Sequence, residues 1–257
     1  MHLCKKLFIF IISLIIASNV WAGSNEQAGC SIDMDVTTHL YTDAISPKDI
    51  EVSTSAEKDN IIDVGIVGNN INNLYGYEIR VKFDPEKLQF IRAVEEEAST
   101  GLVNILKKHQ DAETTWMPAT LIEDNTLSIS NALKGSPDEG IAPDGSGILA
   151  IITFKVLDTA PENVIRISNA QYVDIQGAAD NQQADAITNL SDGIINPVGD
   201  IDGNGIRELL DVIQMLKIMS DMHQGIIKLS SGDIVFSDKH TIDMQDVICL
   251  MNLIASH

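Results

Sequence analysis

Between about residues 34 and 197 the apolar side chains recur in short alternating runs broken by turn formers. Tyr75-Gly76-Tyr77-Glu78-Ile79-Arg80-Val81-Lys82-Phe83 is the clearest run. Period-two spacing predicts a strand with Tyr77, Ile79, Val81 and Phe83 toward a core and Glu78, Arg80 and Lys82 toward water. Asp84-Pro85 ends it, because proline has no N–H for the ladder. Ile61–Val67 is rich in β-branched residues and meets a turn signal at Gly68-Asn69-Asn70. Leu88, Phe90 and Val94, then Thr126–Ser130, Ile148–Val156, Val164–Ile167 and Gln171–Ile175, predict further strands. Residues 101–110, with Leu102, Val103, Ile105 and Leu106, are the one stretch of this body with the spacing of a helical turn. No strand–helix–strand rhythm is present, so the pattern predicts a mainly β chain folded as an antiparallel sandwich.

After residue 198 the period changes. Leu209, Val212, Ile213, Leu216 and Met219 fall at helical spacing and predict one apolar helix face, with Leu209 in the core. Ahead of that helix, Asp200-Ile201-Asp202-Gly203-Asn204-Gly205 is followed by an acid at Asp211. The spacing is that of a twelve-residue cation loop. Asp200, Asp202 and Asn204 at positions 1, 3 and 5 converge when the chain turns sharply, and Gly205 at position 6 permits the turn. The Ile206 carbonyl takes position 7, Glu208 position 9 and Asp211 position 12. All six donors are oxygen, which suits Ca²⁺ better than zinc or copper.

The unit repeats. Asp211-Val212-Ile213-Gln214-Met215-Leu216 has its echo in Asp246-Val247-Ile248-Cys249-Leu250-Met251, and Gly199-Asp200-Ile201 in Gly232-Asp233-Ile234. The second copy is degenerate. Counting back from Asp246 puts Val235 at position 1, Lys239 at position 5 and His240 at the glycine position, and counting forward from Asp233 makes the loop two residues too long. One Ca²⁺ site is therefore expected. Two short helices with apolar faces must bury them against each other, which accounts for the pairing.

The N-terminus sets the compartment. Lys5 and Lys6, the apolar run Leu7–Ala17 and the small residues around Val20-Trp21-Ala22 form a secretory leader with cleavage expected after Ala22. The run is short for a membrane span, which takes about 20 residues; an uncleaved anchor is the alternative. The full chain carries a net charge of −20, and loss of Lys5 and Lys6 leaves 15 basic against 37 acidic residues, or −22. Such a charge argues against nucleic acid and anionic lipid as partners, since phosphate binding needs clustered Lys and Arg. Cys30 and Cys249 remain after cleavage. Free buried thiols are expected, with a Cys30–Cys249 bridge as the alternative that export would permit.

The body resembles a cohesin domain. The resemblance is carried by Leu74-Tyr75-Gly76-Tyr77 running into Val81-Lys82-Phe83-Asp84-Pro85-Glu86-Lys87-Leu88-Gln89-Phe90, and by Gly147-Ile148-Leu149-Ala150-Ile151-Ile152-Thr153-Phe154-Lys155-Val156. Thr126–Gly135 and Ile167–Gly177 fall where that family has strands. It implies a jelly-roll β-sandwich that grips a dockerin through one sheet face. The C-terminal repeat is similar to a dockerin, whose loops also place Asp at position 12. By that resemblance positions 10 and 11, here Leu209, Leu210, Met244 and Gln245, are recognition residues, and Arg207 stands at position 8, where such loops have an apolar residue. The expected organisation is a leader (1–22), an N-terminal tail (23–33), a cohesin-like sandwich (34–197) and a dockerin-like module (198–257) with one intact Ca²⁺ loop.

The functional expectation is a secreted or extracellular, non-catalytic adaptor, with cell surface or periplasm as alternative destinations. Its partners would be other secreted proteins carrying dockerin or cohesin modules, or a second copy of the chain joined head to tail. The connection Asn196-Pro197-Val198 is so short that pairing in trans is expected rather than docking of the module on its own sandwich. The alternative is a carbohydrate-binding sandwich in polysaccharide degradation, which would need a row of exposed aromatics. An enzyme is not expected: there is no HExxH, GxSxG or Gly-rich phosphate loop.

Overall fold

The computed structural model describes residues 25–36, 50–97, 101–109, 112–122, 125–135, 142–159, 161–180, 184–220 and 242–256. The leader and most of the second loop copy, including Asp233, Val235, Lys239 and His240, lie outside the described residues.

Two sheets pack face to face. One has the order β13-β1-β3-β10-β5, built from β1 (Gly29–Asp33), β3 (Ile61–Ile71), β5 (Leu88–Val94), β10 (Gly145–Val156) and β13 (Asn189–Ser191). The other runs β2-β14-β11-β4-β9-β8, built from β2 (Ser53–Ala56), β4 (Leu74–Lys82), β8 (Met117–Ile122), β9 (Thr126–Ala132), β11 (Asn163–Asp174) and β14 (Gly193–Pro197), with β12 (Asp185–Ala186) beside β11. The mainly β sandwich is as predicted, and β4 alternates as its sequence requires. Tyr77, Ile79, Val81 and Phe83 are buried, whereas Arg80 and Lys82 are exposed. Phe83 and Phe90 both meet Phe154 edge to face, with centroids at 5.1 and 6.3 Å.

Several boundaries differ from those the pattern predicts. The sandwich begins before residue 34: Gly29–Asp33, expected as tail, is β1, paired with β3 and with Cys30 and Ile32 fully buried. β3 runs through the expected turn at Gly68–Asn70 to Ile71. Val164–Ile167 and the segment from Gln171 are one strand, β11, with a register shift between Ile167 and Asn169. Its end is earlier than expected, because Ile175–Asp180 is a short helix, α1. The helical turn sought in 101–110 is a single 3₁₀ turn, Ile105–Lys107, capped by Asn104. Leu102–Val103 is instead a strand, β7, paired with β6 (Glu96–Glu97). Nor is the sandwich wholly antiparallel. β1 pairs with β13 and β2 with β14 in parallel, which ties the first strands to the last.

Cys30 and Cys249 are both free thiols, so the bridge is not made. Burial pushes the Cys30 thiol up to about 12, with a hydrogen bond to Tyr172 acting the other way. Among the described residues no helix is long and apolar enough to cross a membrane.

Candidate metal centre and partner-binding face

The predicted loop follows directly from the last strand. β14 ends at Pro197, Val198 is buried, and the Asp200 N–H donates to the Pro197 carbonyl at 3.1 Å. Gly203 and Gly205 take φ of +74° and +83°, which a side chain would strain. The resulting turn folds the backbone around its own carboxylates. Asp200 accepts from the Asn204 N–H at 3.1 Å through Oδ1 and from the Gly205 N–H at 2.8 Å through Oδ2. Asp211 Oδ1 accepts from Ile201 and Asp202 at 2.9 and 3.3 Å, and its Oδ2 from Glu208 at 2.8 Å. One oxygen each of Asp200, Asp202 and Asp211 then lies within 4.8 Å of the others. Oxygens bound to one Ca²⁺ at about 2.3–2.6 Å stand at most about 5 Å apart, so the cluster has the size of a single cation site.

The remaining predicted ligands adjoin this cluster. Asn204 Oδ1 accepts from the Ile206 N–H at 2.8 Å, and Asn204 Nδ2 lies 3.4 Å from Glu208 Oε1. The Ile206 side chain is exposed, as expected of a residue offering only its carbonyl. Asp200 and Asp211 are almost inaccessible. Burial pushes both carboxyls above their ordinary range. Backbone N–H donors oppose the shift, and neighbouring acids add to it.

The repeat is structural as well as sequential. Helix α2 (Leu209–Met219) and helix α3 (Met244–Ala255) begin alike: Asp211 and Asp246 each accept, at 2.8 Å, the N–H of the residue three positions back, Glu208 and Asp243. The helices pack through Val212 and Met215 against Val247 and Leu250, joined by Ile201. The apolar face differs from the predicted one. Leu209, expected in the core, is 64% exposed, and Ile213, Leu216 and Met219 are exposed too. Met244, Ile248 and Met251 are exposed likewise. Both helices carry two apolar stripes, and the sister helix covers only one.

The short connection does not keep the loop off its own sandwich. Arg207 Nη1 lies 2.8 Å from Glu57 Oε1, and the Gly205 backbone lies against Pro161. The sequence predicts that so short a connection disfavours docking of the module on its own sandwich; the contact it does allow is between the loop and the end of the sandwich.

The two sheet faces are unequal. The outer face of the five-stranded sheet is covered by the chain itself, where Val67, Ile148 and Ile151 pack against Val36 and Leu102. This second layer is why Ile148–Ile152 is buried without alternation. In the seven-stranded sheet, Glu78, Arg80, Lys82, Ser130 and Gln171 lie outward, with Glu78 opposite Ser130 on one side and Gln171 on the other. A groove crosses one end of this sheet between Tyr75, Met117, Ser130, Val173 and α1. Met117, Leu121 and Ile122 expose apolar surface on the edge strand beside it. The alternation of β4 places Glu78, Arg80 and Lys82 toward water, but nothing in the sequence marks this face as a binding surface, because polar side chains on a strand carry no motif.

Among the described residues, the aromatic side chains that an exposed sugar platform would need are elsewhere. Tyr77, Phe83, Phe154 and Tyr172 are buried, and Tyr75, Phe90 and Trp116 pack against the core.

No curated protein sequence matches the chain. Among solved structures, a type II cohesin domain from the cellulosome of Acetivibrio cellulolyticus is 19% identical, over 63% of this chain and 91% of that one, with a TM-score of 0.41. A type I cohesin–dockerin complex from Clostridium thermocellum gives 7% identity, 65% and 92% coverage and a TM-score of 0.43. A non-cellulosomal cohesin from the archaeon Archaeoglobus fulgidus gives 13%, 65% and 90%, with a TM-score of 0.39. The cohesin domain family model matches residues 50–195, which run from just before β2 into β14 and take in both sheets. With more than half of its residues in that match, the chain belongs to the cohesin domain family.

Proposed function

We propose that the chain is a secreted, non-catalytic adaptor. Its sandwich receives a dockerin-type module of another protein on the outer face of the seven-stranded sheet. Its own C-terminal helix pair is a dockerin-like unit, ordered by one Ca²⁺ at Asp200, Asp202, Asn204, the Ile206 carbonyl, Glu208 and Asp211. The observation that carries this reading is the inequality of the sheets: among the described residues, one outer face carries a second layer of the chain's own apolar side chains, and the other is polar and grooved. Like charges at Asp200, Asp202 and Asp211 repel until a cation neutralises them, so calcium would order the loop and the helices that depend on it. The exposed stripes Leu209–Ile213–Leu216 and Met244–Ile248–Met251 offer the module a partner surface of its own. A second copy of the chain is then a possible partner as well as other secreted proteins, in an extracellular assembly of polysaccharide-degrading type.

Calorimetry of the secreted chain against purified dockerin modules, with sedimentation velocity of the chain alone in Ca²⁺ and in chelator, tests both halves. The expected result is binding that Ser130→Arg and Gln171→Arg abolish and Val103→Arg, on the covered side, leaves intact. Binding that survives both arginines would move the partner to another surface. The absence of both dockerin binding and self-association would overturn the adaptor reading.

A further inference from the structure

Position 8 of the loop is occupied by Arg207, and its side chain is turned to the sandwich. It is only 10% exposed and lies 2.8 Å from Glu57, which directly follows β2. The topology brings these groups together. β14 pairs with β2 in parallel with Pro197 opposite Ala56, so the strand that launches the loop runs beside the strand that presents Glu57. A second contact lies beside the first. A Cβ on Gly205 would meet Pro161 Cβ at 3.2 Å and Pro161 Cα at 3.3 Å, so the loop backbone is flush with that residue. Pro161 is itself braced, because Lys87 Nζ donates to its carbonyl at 2.6 Å. Gly205 also donates its N–H to Asp200 Oδ2, so one residue touches both the sandwich and the cation cluster. Ile254, near the end of α3, lines the same cleft with Ile206, Asp158 and Thr159.

We infer that the end of the sandwich is a built-in docking surface for the cation loop, with Arg207–Glu57 as its latch, so that calcium binding and the packing of the β2–β14 edge are one coupled equilibrium. The inference rests on the calcium reading above and adds where the loop is read out. Coupling is reciprocal: a sandwich edge that favours the ordered loop must itself be favoured when the loop is ordered by its ion. The adaptor would then carry its sheet face and its helix pair at a fixed angle in calcium rather than on a free tether.

The test uses the full secreted chain, Ca²⁺ as the probe, and hydrogen exchange read by mass spectrometry. In the wild type, Ca²⁺ should slow exchange at 199–211 and also at 53–57 and 193–197. Arg207→Ala should keep the first effect, lose the second, and weaken calcium affinity by about fivefold, the low end of allosteric couplings. The sign is diagnostic, because removing a nearby positive charge would by simple electrostatics tighten a cation site. The reversed pair Glu57→Arg with Arg207→Glu should restore the edge protection. Calcium protection confined to 199–211 in the wild type, or an Arg207→Ala chain that binds calcium as tightly as the wild type or more so, would overturn the latch alone. No effect of calcium anywhere would overturn the calcium reading and the coupling with it.

Discussion

Among the described residues, a half-buried acid in the sandwich and the almost inaccessible acids of the loop solve the same problem in opposite ways. In the sandwich, Glu95 Oε1 lies 2.7 Å from Lys107 Nζ, while its Oε2 accepts from Thr114 Oγ1 at 2.9 Å and Asn131 Nδ2 at 2.8 Å. Burial pushes the Glu95 carboxyl up, but the hydrogen bonds from Lys107, Thr114 and Asn131 and the Lys107 charge outweigh it and hold the group below its ordinary range. In the loop, Asp200 and Asp211 take their hydrogen bonds from backbone N–H groups, and their nearest charges are other acids. Burial raises the carboxyl at both sites, yet the balance ends in a lowered carboxyl at one and raised carboxyls at the other. Backbone donors satisfy lone pairs but supply no net charge. The sandwich cluster brings its cation with it; under the proposed reading, the loop takes one from solution.

The strongest way to break this comparison is at Asp211. Its carboxylate holds three backbone N–H groups as well as facing the cluster, so Asp211→Ala orphans Ile201, Asp202 and Glu208 together. At about 1 kcal/mol or more for each orphaned donor, the change costs roughly 3 kcal/mol. Protease protection of residues 199–256 should be lost in Ca²⁺ and in chelator alike. Asp200→Ala orphans only Asn204 and Gly205, so it should remove the calcium-dependent part and lose less of the protection in chelator than Asp211→Ala. If both variants kept calcium-dependent protection, the loop would not be the calcium site.

The matching change in the sandwich is Lys107→Met, which leaves Glu95 without its cation. A fully buried pair broken this way costs about 3–5 kcal/mol, and this one is partly solvated, so about 1–2 kcal/mol is expected. Urea unfolding followed by Trp116 fluorescence measures it, and chelator should not change the result. A Lys107→Met chain as stable as the wild type would mean that Thr114 and Asn131 alone suffice for Glu95.

These two sites also mark what the sequence could disclose. The loop was legible because its polar groups are local: Asp200, Asp202, Asn204 and Asp211 lie within twelve residues, and Gly203 and Gly205 between them mark the sharp turn. β4 was legible because one of its faces meets water, so its alternation survives. The Glu95 cluster was not, since Glu95, Lys107, Thr114 and Asn131 come from separate segments that only the fold assembles. The seam of the helix pair was misread for a related reason. Leu209–Ile213–Leu216 and Val212–Met215 are both apolar at helical spacing, and only the position of α3 decides which stripe is covered. Likewise β1 has just Cys30 and Ile32 to declare it, and its pairing with β13 spans most of the chain.

The smallest effect is the pH dependence of the sandwich cluster, and it sharpens the contrast most finely. Glu95 titrates lower folded than unfolded, so its contribution is present above the unfolded value, about 4.3, and is lost as pH falls through the folded one. For Lys107, burial lowers the ammonium pKa, but its hydrogen bond to Glu95 and the Glu95 charge outweigh that and raise it. Its contribution is present below the unfolded value, about 10.4, and is lost as pH rises through the folded one. The pair should therefore stabilise the sandwich across a plateau between those limits, by about 1 kcal/mol or less given its solvation. Other carboxyls also weaken the fold in acid, so the quantity to measure is a difference. The stability gap between the wild type and the Glu95→Gln, Lys107→Met double variant should be constant from pH 6 to 8 and shrink on acidification toward pH 3. A gap that stayed constant into acid would mean that Glu95 titrates alike folded and unfolded, so that neither its donors nor the cation beside it favours the charged form on balance.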